Sequence, residues 1–385
     1  QDMPKIILDD PDQTLSMLRE SVETLATRVD GAARLRRRRA DGGDLDRDLW
    51  SEMAAAGWLG LLLPEDMGGS ALGPAELAVL AEGLGRNLLT EPLAALAVLP
   101  GQILSAIGTP AATAIAQGLA DGSRITPLLW QDARGARAPL TLAGSGDAMT
   151  LSVTAHFVTA AASATDLLVL SEKDGVPALV VLPARNGPAG SGGITVFSRP
   201  GLDGATIGQV TLADVAVAQD QILAQGDAVE TALQDAIQIT RFALAAELAG
   251  VGAKALEDTV AYTRDRVQFG QSIASFQVIQ HRLVDMWSDA EFACSAVTNA
   301  VEMLTEDTPD AAAQAVLAAK ARAGDSAVTI TRRAIHLHGA MGFTDECNIG
   351  LFNKRAITLN AMLGQSEDLR LEFLAQEMAT KSTAA

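Results

Sequence analysis

Apolar positions follow three successive patterns along the chain. From residue 11 to about 120 they recur at helical spacing: Leu15, Leu18, Val22 and Leu25 mark one face of a helix over Thr14 to Val29. Asp46 to Ala56 repeats the pattern, with Leu49 and Met53 one turn apart, and stops at Gly57. Trp58 to Pro64 reads as an extended apolar segment that runs into a glycine-marked turn over Glu65 to Ser70. Pro74 opens another helix, through Leu84, that Gly85 closes. From about 123 to 223 the apolar runs shorten: Met149 to Val153, Leu167 to Ser171, Ala178 to Leu182, Gly193 to Phe197 and Ile207 to Leu212. Gly, Pro and Asp separate them, as in a small barrel or sandwich, and Pro183 to Gly193 reads as a long turn. Helical periodicity returns near Asp227 and lasts almost to the end, with breaks near Asp307 to Asp310 and around Gly339 to Thr344. The expectation is an α+β multidomain chain: an N-terminal helical domain (1–122), a middle β-barrel or sandwich domain (123–225) and a C-terminal four-helix bundle (226–385).

Composition narrows the function classes. A chain of 385 residues with 48% hydrophobic content can bury a large core. No apolar run reaches the roughly 18 residues of a membrane span. A net charge of −18 argues against nucleic acid, whose binding needs Lys and Arg on phosphates. The basic run of Arg34 and Arg36 to Arg39 reads as a solvated helix end or loop balanced by the acidic residues around it. Cys294 and Cys347 read as buried free thiols, and the first residues lack a charged-then-apolar secretion pattern, so a cytoplasmic protein is expected.

Two clusters carry candidate chemistry. Over Tyr262 to Ile273, and on to His281, a helix end and its turn gather Arg266, Gln268, Phe269 and Gly270, followed by Phe276 and Gln277. Such a set can grip a large, flat, doubly charged ligand, with Arg266 on phosphate, Phe269 on a ring face and backbone amides after Gly270 on the remaining oxygens. In the second cluster, His336 to Thr344, Gly339 and Gly342 allow close approach to the backbone, and His336 can hydrogen-bond what approaches. His336 and His338 lack a third ligand at zinc-like spacing, so no metal is expected.

The first cluster resembles the Arg-x-Gln-Phe-Gly…Phe-Gln-x-x-Gln-His signature of the acyl-CoA dehydrogenase family, which binds FAD non-covalently. The second is similar to that family's Gln-x-x-Gly-Gly-x-Gly-Phe-Thr segment, which holds the ADP part of FAD, usually that of a neighbouring subunit. Here His336 stands for Gln and Ala340 for Gly. The order Gly57-Trp58-Leu59-Gly60, Pro64-Glu65…Gly68-Gly69 and a helix ending Leu84-Gly85-Arg86 also looks like the family's N-terminal domain. Phe157-Val158-Thr159 resembles its Trp-Ile-Thr-Asn segment, whose Thr contacts the flavin ring. Trp130-Gln131-Asp132, through Gly135, stands where a flavin-contacting threonine segment is usual; Trp130 is expected to shape the pocket instead. The resemblance implies cofactor contacts at Arg266, Gln268, Phe269, Phe276, Gln277, His336, Gly339, Ala340, Phe157, Thr159 and Gln365.

The activity it implies removes two hydrogens, α and β to a thioester carbonyl, giving a trans-2-enoyl-CoA. The weakly acidic α proton then needs a positioned base. Most members carry it as Glu in a Tyr-Glu-Gly-Thr-like segment, which here becomes Met362 to Ser366 with Leu363 at the base position. Other branches place it one residue before an Arg on the first bundle helix, which here is Thr240 before Arg241, a site-shaping residue. Glu247, two turns on and among small apolar neighbours, is the remaining candidate, against the alternative that it pairs with a Lys or Arg between helices. Two turns is also roughly 10 Å of axial displacement. Asp368 and Glu367 are fallbacks.

Flavin motifs without the usual base resemble subunits of paired α2β2 dehydrogenases acting on CoA thioesters of steroid side chains or of dicarboxylic acids such as pimelate. Arg355-Ala356-Ile357-Thr358-Leu359 to Gly364 is similar to that subset's ending. The expected partners are an acyl-CoA substrate, an electron-transfer flavoprotein or similar acceptor, and further subunits in a homotetramer or α2β2 assembly. Two other readings are a non-catalytic partner subunit and a flavin-dependent monooxygenase of the same architecture.

Overall fold

The computed structural model describes residues 3–138, 140–145, 149–184, 193–306 and 308–383. In chain order these residues form a helical N-terminal part, a middle part of two sheets and a C-terminal helical bundle. By compactness they fall into two units. The helical unit takes residues 1–37, 73–90 and 241–385, and the mixed unit takes 38–72 and 91–240.

In the mixed unit, α3 (Arg47–Ala55) starts at Asp46, whose carboxylate accepts from the Leu49 amide as an N-cap. α5 (Leu99–Ile107) and α6 (Pro110–Ala120) follow. Two four-stranded sheets come next. One has the order β1 (Leu128–Leu129), β4 (Asp166–Lys173), β5 (Val176–Pro183), β8 (Ile222–Gln225). The other has the order β2 (Leu142–Ala143), β3 (Met149–Thr159), β7 (Thr206–Val217), β6 (Ile194–Pro200). Only β1 with β4 is parallel among these pairs. The run Leu167-Leu168-Val169-Leu170 in β4 serves two cores. Leu167 and Val169 join Leu151, Val180 and Leu212 between the sheets, whereas Leu168 and Leu170 meet Ile103, Ile115 and Leu233 of the helices. A strand covered on both faces reads as a continuous apolar run, so the sandwich expectation holds and the lack of alternation has its reason.

Trp58 to Pro64 departs from the sequence reading. It is a series of turns, not an extended segment, with Leu63 N–H donating to Gly60 O at 3.1 Å. Gly69 lies so close to it that a Cβ there would sit 2.0 Å from Leu63 O. The long turn expected over Pro183 to Gly193 falls mostly outside the described residues, as does Asp307.

In the helical unit, α1 (Thr14–Val29) packs on α4 (Pro74–Arg86). α2 (Gly31–Asp41) holds the basic run, which is not simply solvated: Arg34 is buried, and Arg36 donates to the Asp345 carbonyl and to Asn348 Oδ1. Arg38, which belongs to the mixed unit, pairs with Glu91 at 3.2 Å. The long helices are α7 (Asp227–Asp265), α8 (Gln277–Thr305) and α9 (Pro309–His338), with α10 (Ile349–Ala361) and α11 (Ser366–Thr383) packed on α9. α7 belongs to this unit from Arg241 onward. Gly85 does not close α4 as the sequence suggested; it lies inside it because α7 crosses there. A Cβ at Gly85 would lie 2.2 Å from Glu247 O, and one at Gly250 would lie 2.1 Å from Glu82 O. The two helices touch backbone to backbone, and this contact fixes the depth of Glu247.

Candidate cofactor and active site

Past the end of α7, Val267–Gln268 (β9) and Gln271–Ser272 (β10) pair as an antiparallel hairpin. Its two turn residues, Phe269 and Gly270, both have positive φ, 53° and 79°, as a tight two-residue turn requires. Glycine adopts that conformation freely, but a phenylalanine there is strained and is held by its surroundings. Ser272 Oγ donates to Thr263 O at 2.9 Å, and Gln280 Nε2 donates to Ala274 O at 3.0 Å. The hairpin thus presents the Phe269 ring 92% exposed, edge-on to Phe276 at 6.1 Å between centroids. Arg266, Gln268 and Gln277 are exposed beside it.

α9 ends at His338, where Gly339 takes φ 61° and a short helical turn carries the chain to Phe343, 82% exposed. The Tyr262 ring stacks on the His338 ring at 4.2 Å, and Tyr262 Oη donates to His338 O at 3.3 Å. This contact brings together the ends of α7 and α9, and with them the two sequence clusters. His338 Nδ1 lies 2.8 Å from the Ala334 carbonyl; a carbonyl only accepts, so this nitrogen carries the proton. Burial pushes the His338 ring below the usual histidine range, against the opposing pull of the Ala334 hydrogen bond and of Asp258. His336, two residues earlier, is exposed, and its Nδ1 lies 2.8 Å from Arg282 Nη1.

These groups fit a flat, phosphate-bearing cofactor such as FAD. At Gly270 and Gly339 nothing lies within 4 Å of where a Cβ would be, so the backbone is open to a ligand. A guanidinium and two exposed aromatic rings stand near such open backbone, which protein packing alone does not call for. The mixed unit has its own candidate place. β3 is irregular between Ala155 and Val158, and Phe157, at φ 57°, is half exposed, with Thr159 half-buried after it. Trp130 packs partly against the helix-facing core, and Gln131 and Asp132 are engaged in their own turn, donating to Gly135 O and accepting from the Arg134 and Ala136 amides.

The base positions look different. The Thr240 hydroxyl is buried and donates to Ala236 O at 2.6 Å. Leu363 is apolar at φ 54°. Arg241 holds the Leu363 turn, with Nε donating to Leu363 O at 2.9 Å and Nη1 and Nη2 gripping both Glu372 oxygens at 2.8 and 2.9 Å. Glu247 is 5% exposed, and its Oε1 accepts from Arg355 Nε at 2.7 Å and lies 2.6 Å from Arg355 Nη2. That is the interhelical ion pair which the sequence left open as the alternative to a base. Glu367 and Asp368 are exposed in the first turn of α11, where Asp368 accepts weakly from the Gln365 amide at 3.4 Å.

Sequence reasoning missed Lys320. It is fully buried, and its Nζ donates to Asn360 O at 3.2 Å and to Gly364 O at 3.4 Å, bracing the turn that Arg241 holds. Burial, with Arg241 adding to it, brings the amine down to about 7. Its only signal was one lysine between Ala319 and Ala321 in a small, apolar stretch of helix.

Among the described residues no cluster suits a metal ion, and no helix is long and apolar enough to cross a membrane. Both cysteines are free thiols, but only Cys294 is buried; Cys347 is half-buried, contrary to the expectation.

Known proteins match both ends of the chain. The family profile "Acyl-CoA dehydrogenase, N-terminal domain" covers residues 12–114, and "Acyl-CoA dehydrogenase, C-terminal domain" covers 230–378. "Probable acyl-CoA dehydrogenase YngJ" of Bacillus subtilis is 28% identical over 355 residues, 87% of this chain and 90% of that protein. "Acyl-CoA dehydrogenase IpdE2" of Mycobacterium tuberculosis is 28% identical over 347 residues, 90% of this chain and 92% of that one. Among solved structures, a variant of the "Tcur3481-Tcur3483 steroid ACAD" is similar with a TM-score of 0.83 and 28% identity, covering 97% of this chain and 99% of that chain.

Proposed function

Because the chain belongs to the acyl-CoA dehydrogenase family of FAD-dependent oxidoreductases, we propose that it desaturates an acyl-CoA thioester as one subunit of a paired enzyme whose other chain supplies the base. The observation that carries this reading is the Arg355 grip on Glu247 at 2.6 Å, with an apolar Leu363 and a committed Thr240 hydroxyl at the two positions where a base is usual. A carboxylate whose Oε1 is gripped twice by a guanidinium in a closed helix crossing is a poor proton acceptor for a substrate that must reach it.

FAD, when bound, supplies the acceptor for the substrate's β hydrogen and its electron pair. This chain's residues do the holding. In this reading Arg266 meets phosphate, Phe269 and Phe276 cover a ring, and Gly339 and Ala340 offer backbone to the ADP part. Gln268, Gln277 and Gln365 are this unit's further contacts to the cofactor, and Phe157 and Thr159 are those that the mixed unit offers by itself. Arg241 and Lys320 fix the Leu363–Gly364 turn, so that an apolar wall stands where a carboxylate would otherwise be. The electrons then pass to an electron-transfer flavoprotein or similar acceptor, and the assembly is a tetramer of the α2β2 kind. The three-domain division near residues 122 and 225 belongs to the same reading. The likeness to the Tcur3481-Tcur3483 steroid ACAD supports both pairing and a steroid-type acyl group.

The test is to purify the chain alone and with its genomic neighbour, and to titrate each anaerobically with acyl-CoA thioesters while watching the flavin band. Bleaching only in the pair is the expected result. Full bleaching by the chain alone would place the base in this chain.

A further inference from the structure

His336 and His338 are two residues apart at one helix end, yet their hydrogen bonds demand opposite tautomers. His338 gives the Nδ1 proton to the Ala334 carbonyl and is buried against Tyr262. His336 is exposed, and the partner of its Nδ1, 2.8 Å away, is a guanidinium nitrogen of Arg282. A guanidinium has donors and no acceptor, so the Nδ1 of His336 supplies the lone pair and the proton sits on Nε2. With Nδ1 turned to Arg282, the ring has one polar edge left, and that edge is an N–H donor. A glutamine at this place would offer both a donor and an acceptor; the Arg282-held imidazole offers only the donor.

We propose that Arg282 is a positioning residue for cofactor binding, acting through His336 so that the ring presents a fixed Nε2–H to an acceptor-rich group, a phosphoryl oxygen of the dinucleotide. This rests on the reading that the segment after α9 faces the ADP part of FAD. Two features make phosphate the fitting ligand chemistry. The ring's remaining edge has no acceptor to offer a hydroxyl or amine donor, and a cation stands beside it in the guanidinium itself, which favours an anion. The exposure of both side chains leaves the pair open to a ligand while costing the fold little to alter.

The experiment uses the protein purified with its companion chain, stripped of cofactor and titrated with FAD and with ADP. Arg282→Met is expected to weaken both by about tenfold, because the exposed ring loses its fixed orientation together with its fixed tautomer and most of one hydrogen bond to a charged group is lost. Placing His336→Gln in the Arg282→Met background is expected to bring affinity back to within about threefold of the parent, because an amide needs no partner to set a tautomer. A merely structural role for Arg282 would not respond to the residue at 336. With only four histidines in the chain, nitrogen NMR of labelled imidazoles reads the tautomer directly. His336 is expected as the Nε2–H form in the parent and as a mixture in Arg282→Met. Equal affinity in Arg282→Met, or a His336 protonated at Nδ1 in the parent, overturns the proposal while leaving the FAD reading intact. A parent that takes up neither FAD nor ADP sinks both.

Discussion

Within the helical unit, two groups of charged and aromatic side chains make opposite arrangements. In the interior, Glu247 with Arg355 and Lys320 with the Asn360 and Gly364 carbonyls are closed: each charge is met by another part of the chain and shut away from water. At the rim, Phe269 and Phe343 stand 92% and 82% exposed, and the backbone is open at Gly270 and Gly339. It is not open at Gly342, which is packed against Ile335 and does not admit the ligand that the sequence suggested. The interior cluster is finished by the fold, whereas the rim cluster is left open by it. A carboxylate in a helical core is therefore weak evidence for catalysis until its partner is known. An exposed aromatic held at positive φ is stronger evidence for a ligand, because the chain accepts strain and lost burial to keep it there.

Substitutions should separate the two arrangements by what they damage. Arg355→Met leaves the Glu247 carboxylate buried without its main partner, and is expected to cost about 3–5 kcal/mol of stability, read by chemical denaturation. A loss under about 1 kcal/mol would mean that the pair is not closed in solution.

Lys320 gives a pH signature. The unfolded chain keeps the lysine proton up to about 10.5, whereas the folded chain releases it near 7. Between these values the unfolded state binds more protons, so stability rises with pH across the window, with a slope of up to about 1.4 kcal/mol per pH unit. Lys320→Met should remove that slope; an unchanged profile would show that the amine is not dry.

Arg266→Ala belongs to the rim and should leave the stability of the cofactor-free protein within about 0.5 kcal/mol. Its FAD affinity should fall by about 1.5–3 kcal/mol, read by cofactor content and titration. A destabilised fold with normal FAD uptake would reverse the comparison.

The rim was legible in the sequence because its chemistry is local. Arg266 to Gly270 and His336 to Gly339 are short strings, and a tight turn needs particular residues at particular places. The strands and long helices were legible because periodicity is also local, as in α7 to α9. The interior was not. Glu247 meets Arg355, 108 positions away, and nothing short-range announces that meeting. Gly85 read as a helix end until α7 was seen crossing it, and Trp58 to Pro64 read as extended because an apolar run alone does not distinguish a strand from packed turns. Lys320 carried a charge into a small-residue helix face, where only the position of the Asn360 and Gly364 carbonyls explains it.

A paired enzyme of this kind requires Glu247 to be a structural ion and not the base. Glu247→Gln alone leaves Arg355 unpaired, so the informative variant is Glu247→Gln with Arg355→Met, which removes both charges together. With the companion chain present, single-turnover flavin reduction by acyl-CoA is expected to stay within about threefold of the parent, since no group of this pair touches the α proton. A loss of about 10²–10⁴-fold with FAD still bound, the range for removing a general base, would contradict it.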